Sequence, residues 1–133
     1  MAVFETKSIR NIALLGHGGD GKTTLAEAML FLTGAIDRMG KVDDGTTTLD
    51  YDPEEIKRRI SISLGLAPVE YKGNKINVID VPGYFDFVGE MIQALAVADS
   101  ACIVCNAVSG LMVGTEKAIT RTAKAKLPRI IFI

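Results

Sequence analysis

A glycine-rich segment near the N-terminus carries the residue types best suited to chemistry in this chain. It fits the phosphate-binding pattern G-x-x-x-x-G-K-[ST] and lies between an apolar run, residues 12–15, and a helical pattern that begins near Lys22. Glycines let backbone N–H groups curl around a polyphosphate, and the positive end of the following helix points at the same anion. We therefore predict a nucleotide-binding loop formed by Gly16, His17, Gly18, Gly19, Asp20, Gly21, Lys22, Thr23 and Thr24.

Four side chains or backbone groups would complete a site for hydrolysis of a nucleoside triphosphate. Lys22 can reach the β and γ phosphates, and the Thr23 hydroxyl can bind Mg²⁺. Asp80 follows an apolar strand pattern, where its carboxylate can hold the hydration shell of Mg²⁺ opposite Thr23. Gly83 follows a proline, and its N–H can contact a γ phosphate. Alone, Asp80 and Gly83 also fit a simple turn, but the phosphate-binding pattern favours the chemical roles.

The composition is that of one ordinary globular domain. The 133 residues are 48% hydrophobic and 23% charged, and 15 basic residues against 16 acidic ones give a net charge of −1. This balance argues against a strongly basic nucleic-acid surface, so we expect no DNA partner. The chain lacks a run of 18 apolar residues, and its first residues lack the apolar core of a secretory signal. We expect no membrane partner and a cytoplasmic location.

The hydrophobic periodicity predicts an α/β fold, with helices on both faces of a mostly parallel sheet and one antiparallel edge hairpin. The phosphate-binding pattern places this fold in the P-loop NTPase class. Lys72-Gly73-Asn74 marks the hairpin turn, and Pro68 places the first hairpin strand at the sheet edge. The predicted strands are 8–15, 66–71, 75–81, 101–107 and 129–133, and the predicted helices are 22–33, 53–59, 85–98 and 114–126. The expected buried faces are Leu25, Ala28, Met29 and Leu32 on the first helix, and Phe85, Val88, Ile92 and Leu95 on the third.

Residues 35–62 are polar and show no clear periodicity before the short helix. A loop of this length in a compact domain is usually functional or mobile, so we interpret it as a sensor of the γ phosphate. A hydroxyl group within it could join the Mg²⁺ shell. Most of its charged residues are expected to be solvated, with helix pairs such as Glu54 and Arg58.

Cys102 and Cys105 have the C-x-x-C spacing of redox and zinc sites. They lie in a strand pattern, however, where residues three apart face opposite sides of the sheet. The chain has no further cysteine and a single histidine, His17. We therefore predict two packed core cysteines.

Three segments together resemble the G domain of translation elongation factor G, most closely its bacterial paralogues. They are residues 16–24, 59–62 and 80–87, and the resemblance extends over essentially the whole chain. It implies a GTPase that binds GTP, GDP and Mg²⁺ and acts as a switch on the ribosome. It also implies a C-terminally truncated domain, because the Asn/Thr-Lys-x-Asp motif that reads guanine would begin just after Ile133. The isolated chain is then expected to bind nucleotide weakly and to be inactive.

The resemblance also implies roles for particular residues. Switch I would be about 35–62 and switch II about 83–90. Ser61 would be the Mg²⁺-sensing hydroxyl, so that the metal residues are Thr23, Ser61 and Asp80. Ile60 would be an apolar gate near the attacking water. The expected catalytic residues are Lys22, Gly83 and Tyr84.

Three positions depart from the usual family pattern. Serine at position 61 replaces threonine and keeps the metal-binding oxygen, whereas Gly19 replaces the aspartate tied to a monovalent-cation site. Tyr84 stands where the family usually has the histidine that orients the attacking water. Losing a positioned acid or base costs about 10²–10⁴ in rate. Tyr84 therefore predicts slow hydrolysis, or a hydroxyl that orients water without transferring a proton.

Two other functions stay open at this point. The chain could belong to a ribosome-binding module that senses GTP with negligible turnover, as Tyr84 suggests. It could also belong to a P-loop ATPase of the partitioning type, which shares a loop like residues 18–24. Those ATPases normally have a lysine where His17 stands, and the long loop before Ser61 fits them poorly.

Overall fold

The computed structural model describes residues 3–133, which form one five-stranded sheet flanked by four α-helices. The strands are β1 (Ile9–Leu15), β2 (Gly65–Tyr71), β3 (Asn74–Asp80), β4 (Ser100–Val104) and β5 (Arg129–Phe132). The helices are α1 (Lys22–Leu32), α2 (Pro53–Arg58), α3 (Val88–Val97) and α4 (Val113–Lys124). Single 3₁₀ turns span Thr6–Ser8 and Phe85–Phe87.

The strands lie in the order β2-β3-β1-β4-β5, and all neighbours are parallel except β2 with β3. The hairpin turn consists of Lys72 and Gly73, both with positive φ, and Asn74 already pairs with Tyr71. Pro68 lies on the edge strand β2, where its missing N–H breaks no inter-strand bond. The predicted fold class and edge hairpin are confirmed.

Two apolar clusters cover the two faces of the sheet. On one face, Ala26 and Leu30 of α1 pack against Leu14, Val78 and Val104. On the other face, Met91 and Ala94 of α3 and Ala118 of α4 pack against Ala13 and Ile103. This layering places the carboxyl ends of β1 and β3, and the start of α1, at the same edge of the sheet.

The predicted buried faces of α1 and α3 are right only in part: Leu25 and Met29 of α1 and Leu95 of α3 are partly buried against the core, and the other predicted positions differ. Leu32 of α1 is exposed, and the polar residues Thr23 and Glu27 are buried instead. Val88 and Ile92 of α3 are exposed, and Met91 and Ala94 face the core. Each helix is apolar over more than one face, so periodicity does not determine which face meets the sheet. The predicted helix 85–98 is also two elements, a 3₁₀ turn followed by α3.

The strand β4 is shorter than predicted, whereas β5 and the two cysteines are as the sequence predicted. β4 ends at Val104, three residues before its predicted end, and β5 is exposed along its whole length. Cys102 and Cys105 are buried and free, as predicted, and burial raises the pKa of the Cys102 thiol. Within residues 3–133, no helix has the length and apolar character needed to cross a membrane.

Candidate nucleotide site

The glycine-rich loop joins the central strand β1 to the N-terminus of α1. Gly16 packs so closely against the Val104 carbonyl that a side chain would have no room. Gly21 has a φ of 92° and directly precedes α1. Among residues 3–133, the N–H groups of Gly18, Gly19 and Gly21 donate to no protein acceptor. Free donors that converge at the start of a helix form a favourable cradle for an anion.

Lys22 is the first residue of α1, and its side chain folds back over the loop. Its Nζ donates a hydrogen bond of 2.7 Å to the His17 carbonyl oxygen. Burial lowers the pKa of Lys22, whereas the nearby carboxylates of Asp80, Asp20 and Asp50 act in the opposite direction. The amine is therefore held at the loop by a neutral carbonyl, where an incoming phosphate can compete for it.

A cavity of about 300 Å³ opens in front of this loop. It brings together elements that are far apart in the sequence: the loop itself, the start of α1, the long loop 35–62 and the segment after β3. The lining residues that the sequence predicted are Gly18, Gly19, Gly21, Lys22, Thr23, Thr24, Ile60, Ser61, Gly83 and Tyr84. The volume and the basic lining group suit a polyphosphate.

Thr23 and Ser61 meet at the inner end of the cavity. Their hydroxyl oxygens are 3.2 Å apart, although 38 residues separate them in the chain. Asp80 is almost completely buried behind them, and neither of its carboxylate oxygens has a hydrogen-bond partner of good geometry. Asp80 itself does not line the cavity, but Thr23 lies close to its carboxylate. Hydroxyl and carboxylate oxygens are the hard donors that Mg²⁺ prefers.

The environment of Asp80 opposes its negative charge. Burial raises the pKa of Asp80 to about 6, while the nearby Thr23 hydroxyl and Lys22 ammonium favour the charged form. Thr23 lies close enough to influence this equilibrium without satisfying either oxygen.

Gly83 and Tyr84 also line the cavity. A Cβ atom at Gly83 would lie 2.5 Å from the Gly18 nitrogen and 2.5 Å from Lys22 Nζ, so only glycine fits there. The Tyr84 ring lies over Gly18, and the side chain remains 41% exposed. The segment after β3 therefore contacts the glycine-rich loop directly.

Three predicted loop residues do not line the cavity. Gly16 lies behind the loop, and His17 packs beside Gly114 of α4 and the Phe85 ring. The Asp20 carboxylate accepts hydrogen bonds from the His17 N–H at 3.0 Å and the Thr115 hydroxyl at 3.3 Å. These side chains shape the loop from behind, so any contact they make with a nucleotide is through the backbone.

Asp50 lines the cavity, although no sequence pattern pointed to it. Burial raises the pKa of its carboxyl, and the Ser61 hydroxyl opposes this shift. The expectation that the loop acids are solvated is right for Asp43, Asp44, Asp52 and Glu54 and wrong for Asp50 and Glu55, which are buried. Local spacing does not single out Asp50, because its neighbours in the cavity come from distant segments.

The site and the fold define a class of protein. The family of the elongation factor Tu GTP binding domain matches residues 7–133, and the chain belongs to that family. The predicted resemblance to elongation factor G and its paralogues is confirmed by the relatives described next.

Curated relatives match nearly the whole chain. An elongation factor G-like protein of Mycobacterium tuberculosis is 40% identical over 125 residues, covering 94% of this chain and 18% of the relative. The mitochondrial ribosome-releasing factor 2 of Meyerozyma guilliermondii is 42% identical over 124 residues, covering 93% of this chain and 15% of the relative. The chain therefore spans less than a fifth of the length of these relatives.

Solved structures share the fold. A crystal structure of a protein from Thermus thermophilus is 48% identical, with a TM-score of 0.90, and the match covers 93% of this chain and 19% of that one. The elongation factor SelB of Methanococcus maripaludis, solved with a GTP analogue, is 21% identical with a TM-score of 0.70, covering 98% of this chain and 22% of that one. The SelB similarity supports the fold alone.

Proposed function

We propose that this chain is the phosphate-binding part of the GTPase domain of a translation factor of the elongation factor G type. The factor would hydrolyse GTP and act as a switch on the ribosome. The observation that carries the proposal is the convergence of Lys22, Thr23, Ser61 and Gly83 on one cavity, in a chain that belongs to a GTP-binding family. The relatives named as elongation and ribosome-releasing factors support the ribosome as the partner.

The glycine-rich loop and Lys22 would bind the polyphosphate. The N–H groups of Gly18, Gly19 and Gly21 would donate to phosphate oxygens. The Lys22 ammonium would leave the His17 carbonyl and bind the β and γ phosphates instead. Gly83, which lies against Gly18 and Lys22, would donate its N–H to the γ phosphate. Donors fixed in this way stabilise the charge that develops on the transferring phosphoryl group.

Mg²⁺ is the cofactor that the donor set fits. The Thr23 and Ser61 hydroxyls would hold the ion, and Asp80 would orient its hydration shell. When bound, the ion neutralises phosphate charge during transfer. Asp50 is near enough to Ser61 to orient that hydroxyl.

Tyr84 would orient the attacking water through its hydroxyl, without serving as the base. Its ring packs over Gly18, next to the position proposed for the γ phosphate. Ile60, in the facing wall, would limit the access of other water molecules. This arrangement is consistent with slow intrinsic turnover, as expected for a switch.

The limits of the switches and of the domain are part of the proposal. Switch I would be about 35–62 and switch II about 83–90, and both contribute to the cavity wall. Because the chain covers 15–18% of its relatives, we propose that it is the N-terminal part of a longer factor with a guanine-reading motif and further domains. The relatives include both bacterial and mitochondrial factors, and the cytoplasmic location expected from the sequence stays a prediction.

The test uses the full-length factor that contains this chain. We expect a fluorescent GTP analogue to bind in the presence of Mg²⁺, and ribosomes to stimulate multiple-turnover phosphate release. Lys22→Ala serves as the inactive control. Tight GTP binding with phosphate release at the background rate would show that the factor senses GTP without hydrolysing it. A preference for ATP over GTP would overturn the proposal. The isolated 133-residue chain remains predicted to be inactive.

A further inference from the structure

Glu27 is a fully buried acid that the proposed chemistry does not use. It lies on α1, outside the phosphate-binding pattern, and its side chain is 0% exposed. One carboxylate oxygen accepts a hydrogen bond of 3.0 Å from the Gly40 N–H, and the other accepts one from the Thr48 N–H. A buried carboxylate is tolerated when both oxygens have such donors.

These two bonds close residues 40–48 into a compact lobe. Inside this lobe, the Lys41 N–H donates to the Thr46 hydroxyl, and the Thr46 N–H donates to the Lys41 carbonyl. Val42 and Asp43 of the lobe line the cavity. The position of one wall of the cavity therefore depends on where Glu27 holds the lobe.

The helix α1 contacts the long loop at two points, one inside the proposed metal site and one outside it. Thr23, one helical turn before Glu27, meets Ser61 near the end of the loop. That contact uses the hydroxyls proposed to bind Mg²⁺, so it is part of the proposed metal site. The bonds from Glu27 to Gly40 and Thr48 involve no group proposed to touch nucleotide or metal.

We propose that Glu27 is a positioning residue that keeps the lobe docked at the cavity independently of nucleotide and metal. The lobe would then hinder the escape of bound nucleotide, while the part of the loop around Ser61 responds to the γ phosphate. Only the effect of Glu27 on nucleotide release depends on the proposed GTP site. The docking of the lobe by Glu27 stands on the geometry alone.

The chemistry of the contact provides an isosteric test. Both partners of Glu27 are N–H donors, and a carboxylate is the side chain of this length with two acceptor oxygens. Glu27→Gln keeps the shape but places an amide N–H₂ against a backbone N–H. Glu116→Gln, on the exposed side of α4, is the matched control.

The experiment compares both variants with the wild type in the full-length factor, by hydrogen exchange and by release of fluorescent GTP. Loss of a charged hydrogen bond of this type increases the equilibrium constant for local opening, and with it the amide exchange rate, by about tenfold to a hundredfold. In Glu27→Gln we expect the amides of residues 40–48 to exchange faster by about that factor, and GTP to dissociate about tenfold faster. Amides of β1 and β3 should be unchanged, and Glu116→Gln should match the wild type throughout.

Two results would overturn the proposal. Unchanged exchange of residues 40–48 in Glu27→Gln would mean that the lobe does not depend on this carboxylate. Equal acceleration of the lobe and of β1 and β3 would make Glu27 a residue of general stability. A wild-type factor that fails to bind GTP would instead overturn the proposed function, and the exchange data would still decide the role of Glu27.

Discussion

The two loops that form the cavity are built in different ways. The glycine-rich loop is held by contacts within its own sequence, such as Lys22 Nζ to the His17 carbonyl and the Asp20 carboxylate to the His17 N–H. The long loop, residues 35–62, has only the short helix α2 of its own. It is held by buried carboxylates, with Glu27 of α1 as its distant anchor.

Glu55 is the second anchor of the long loop. One of its oxygens accepts from the N–H groups of Ile62 at 2.9 Å and Ser63 at 3.1 Å, and the other accepts from the Asp52 N–H at 3.2 Å. Just beyond the loop, Glu90 of α3 accepts from the Leu64 N–H. A loop that is held at a few charged points can be released by losing a few bonds, whereas the glycine-rich loop cannot move without breaking its own backbone conformation.

The largest expected effect comes from removing the only lysine of the glycine-rich loop. Lys22→Ala removes the cation that would contact the β and γ phosphates, together with its hydrogen bond to the His17 carbonyl. We expect GTP hydrolysis to fall by about 10²–10³. Ribosome-stimulated phosphate release measures the change, and a thermal melt verifies folding. Hydrolysis within a factor of two of the wild type would remove Lys22 from the proposed mechanism.

Asp80→Asn tests the buried acid behind the glycine-rich loop. Because burial raises the pKa of Asp80 to about 6, the folded state binds a proton more tightly than the unfolded state does. In metal-free protein, this group therefore favours folding at low pH, and its contribution of about 3 kcal/mol is lost as pH rises from about 4 to about 6.

Asn carries no such charge, so the metal-free Asp80→Asn variant should be more stable than the wild type above pH 6. Its Mg²⁺-dependent nucleotide binding should be lost. The free energy of unfolding of both proteins is measured with denaturant from pH 4 to 8 in EDTA. The difference between the two pH profiles gives the contribution of Asp80 separately from that of the other acids. Parallel pH profiles of the two proteins would contradict the raised pKa.

Glu55→Gln breaks the second anchor of the long loop. The glutamine amide has one acceptor oxygen instead of two for the three N–H groups that Glu55 binds. The substitution also weakens the start of α2, where Glu55 and Asp52 form a capping box. We expect a loss of about 1.5–3 kcal/mol in the free energy of unfolding, together with faster exchange of the Ile62 and Ser63 amides. An exchange pattern identical to that of the wild type would show that the loop does not need this carboxylate.

Tyr84→Phe removes only the hydroxyl of the ring that packs over Gly18. If that hydroxyl orients water, turnover should fall about tenfold with little change in KM, which corresponds to one hydrogen bond. Tyr84→His is the complementary variant and should raise turnover above the wild type. Equal rates for the tyrosine and phenylalanine forms would reduce Tyr84 to a packing role.

The smallest effect belongs to the exposed pair on α2. Glu54 Oε2 and Arg58 Nε are 2.9 Å apart, and both side chains are more than half exposed. Glu54→Ala should change the free energy of unfolding by about 0.3–0.5 kcal/mol and leave nucleotide release unaltered. A change as large as that of Glu55→Gln would mean that exposed charges also hold the long loop.

Local patterns predicted much of the fold. The strands, the helices, the edge hairpin and the cavity residues of the glycine-rich loop all follow from residue types at fixed spacing. The buried faces of α1 and α3 followed only in part, because each helix offers more than one apolar face. On α1, the burial of Thr23 and Glu27 against the long loop decides which face turns inward.

The sequence by itself determined the glycine-rich loop, because backbone conformation and helix position depend on neighbouring residues. Only the tertiary structure decided the other side of the cavity. Asp50, Glu27 and Glu55 are acids that look like surface residues in the sequence, and their burial depends on partners that folding brings together. Glu27 shows the reason most clearly: its carboxylate is stable in the interior because the N–H groups of Gly40 and Thr48 converge on it, and these lie 13 and 21 residues away, which no local spacing encodes.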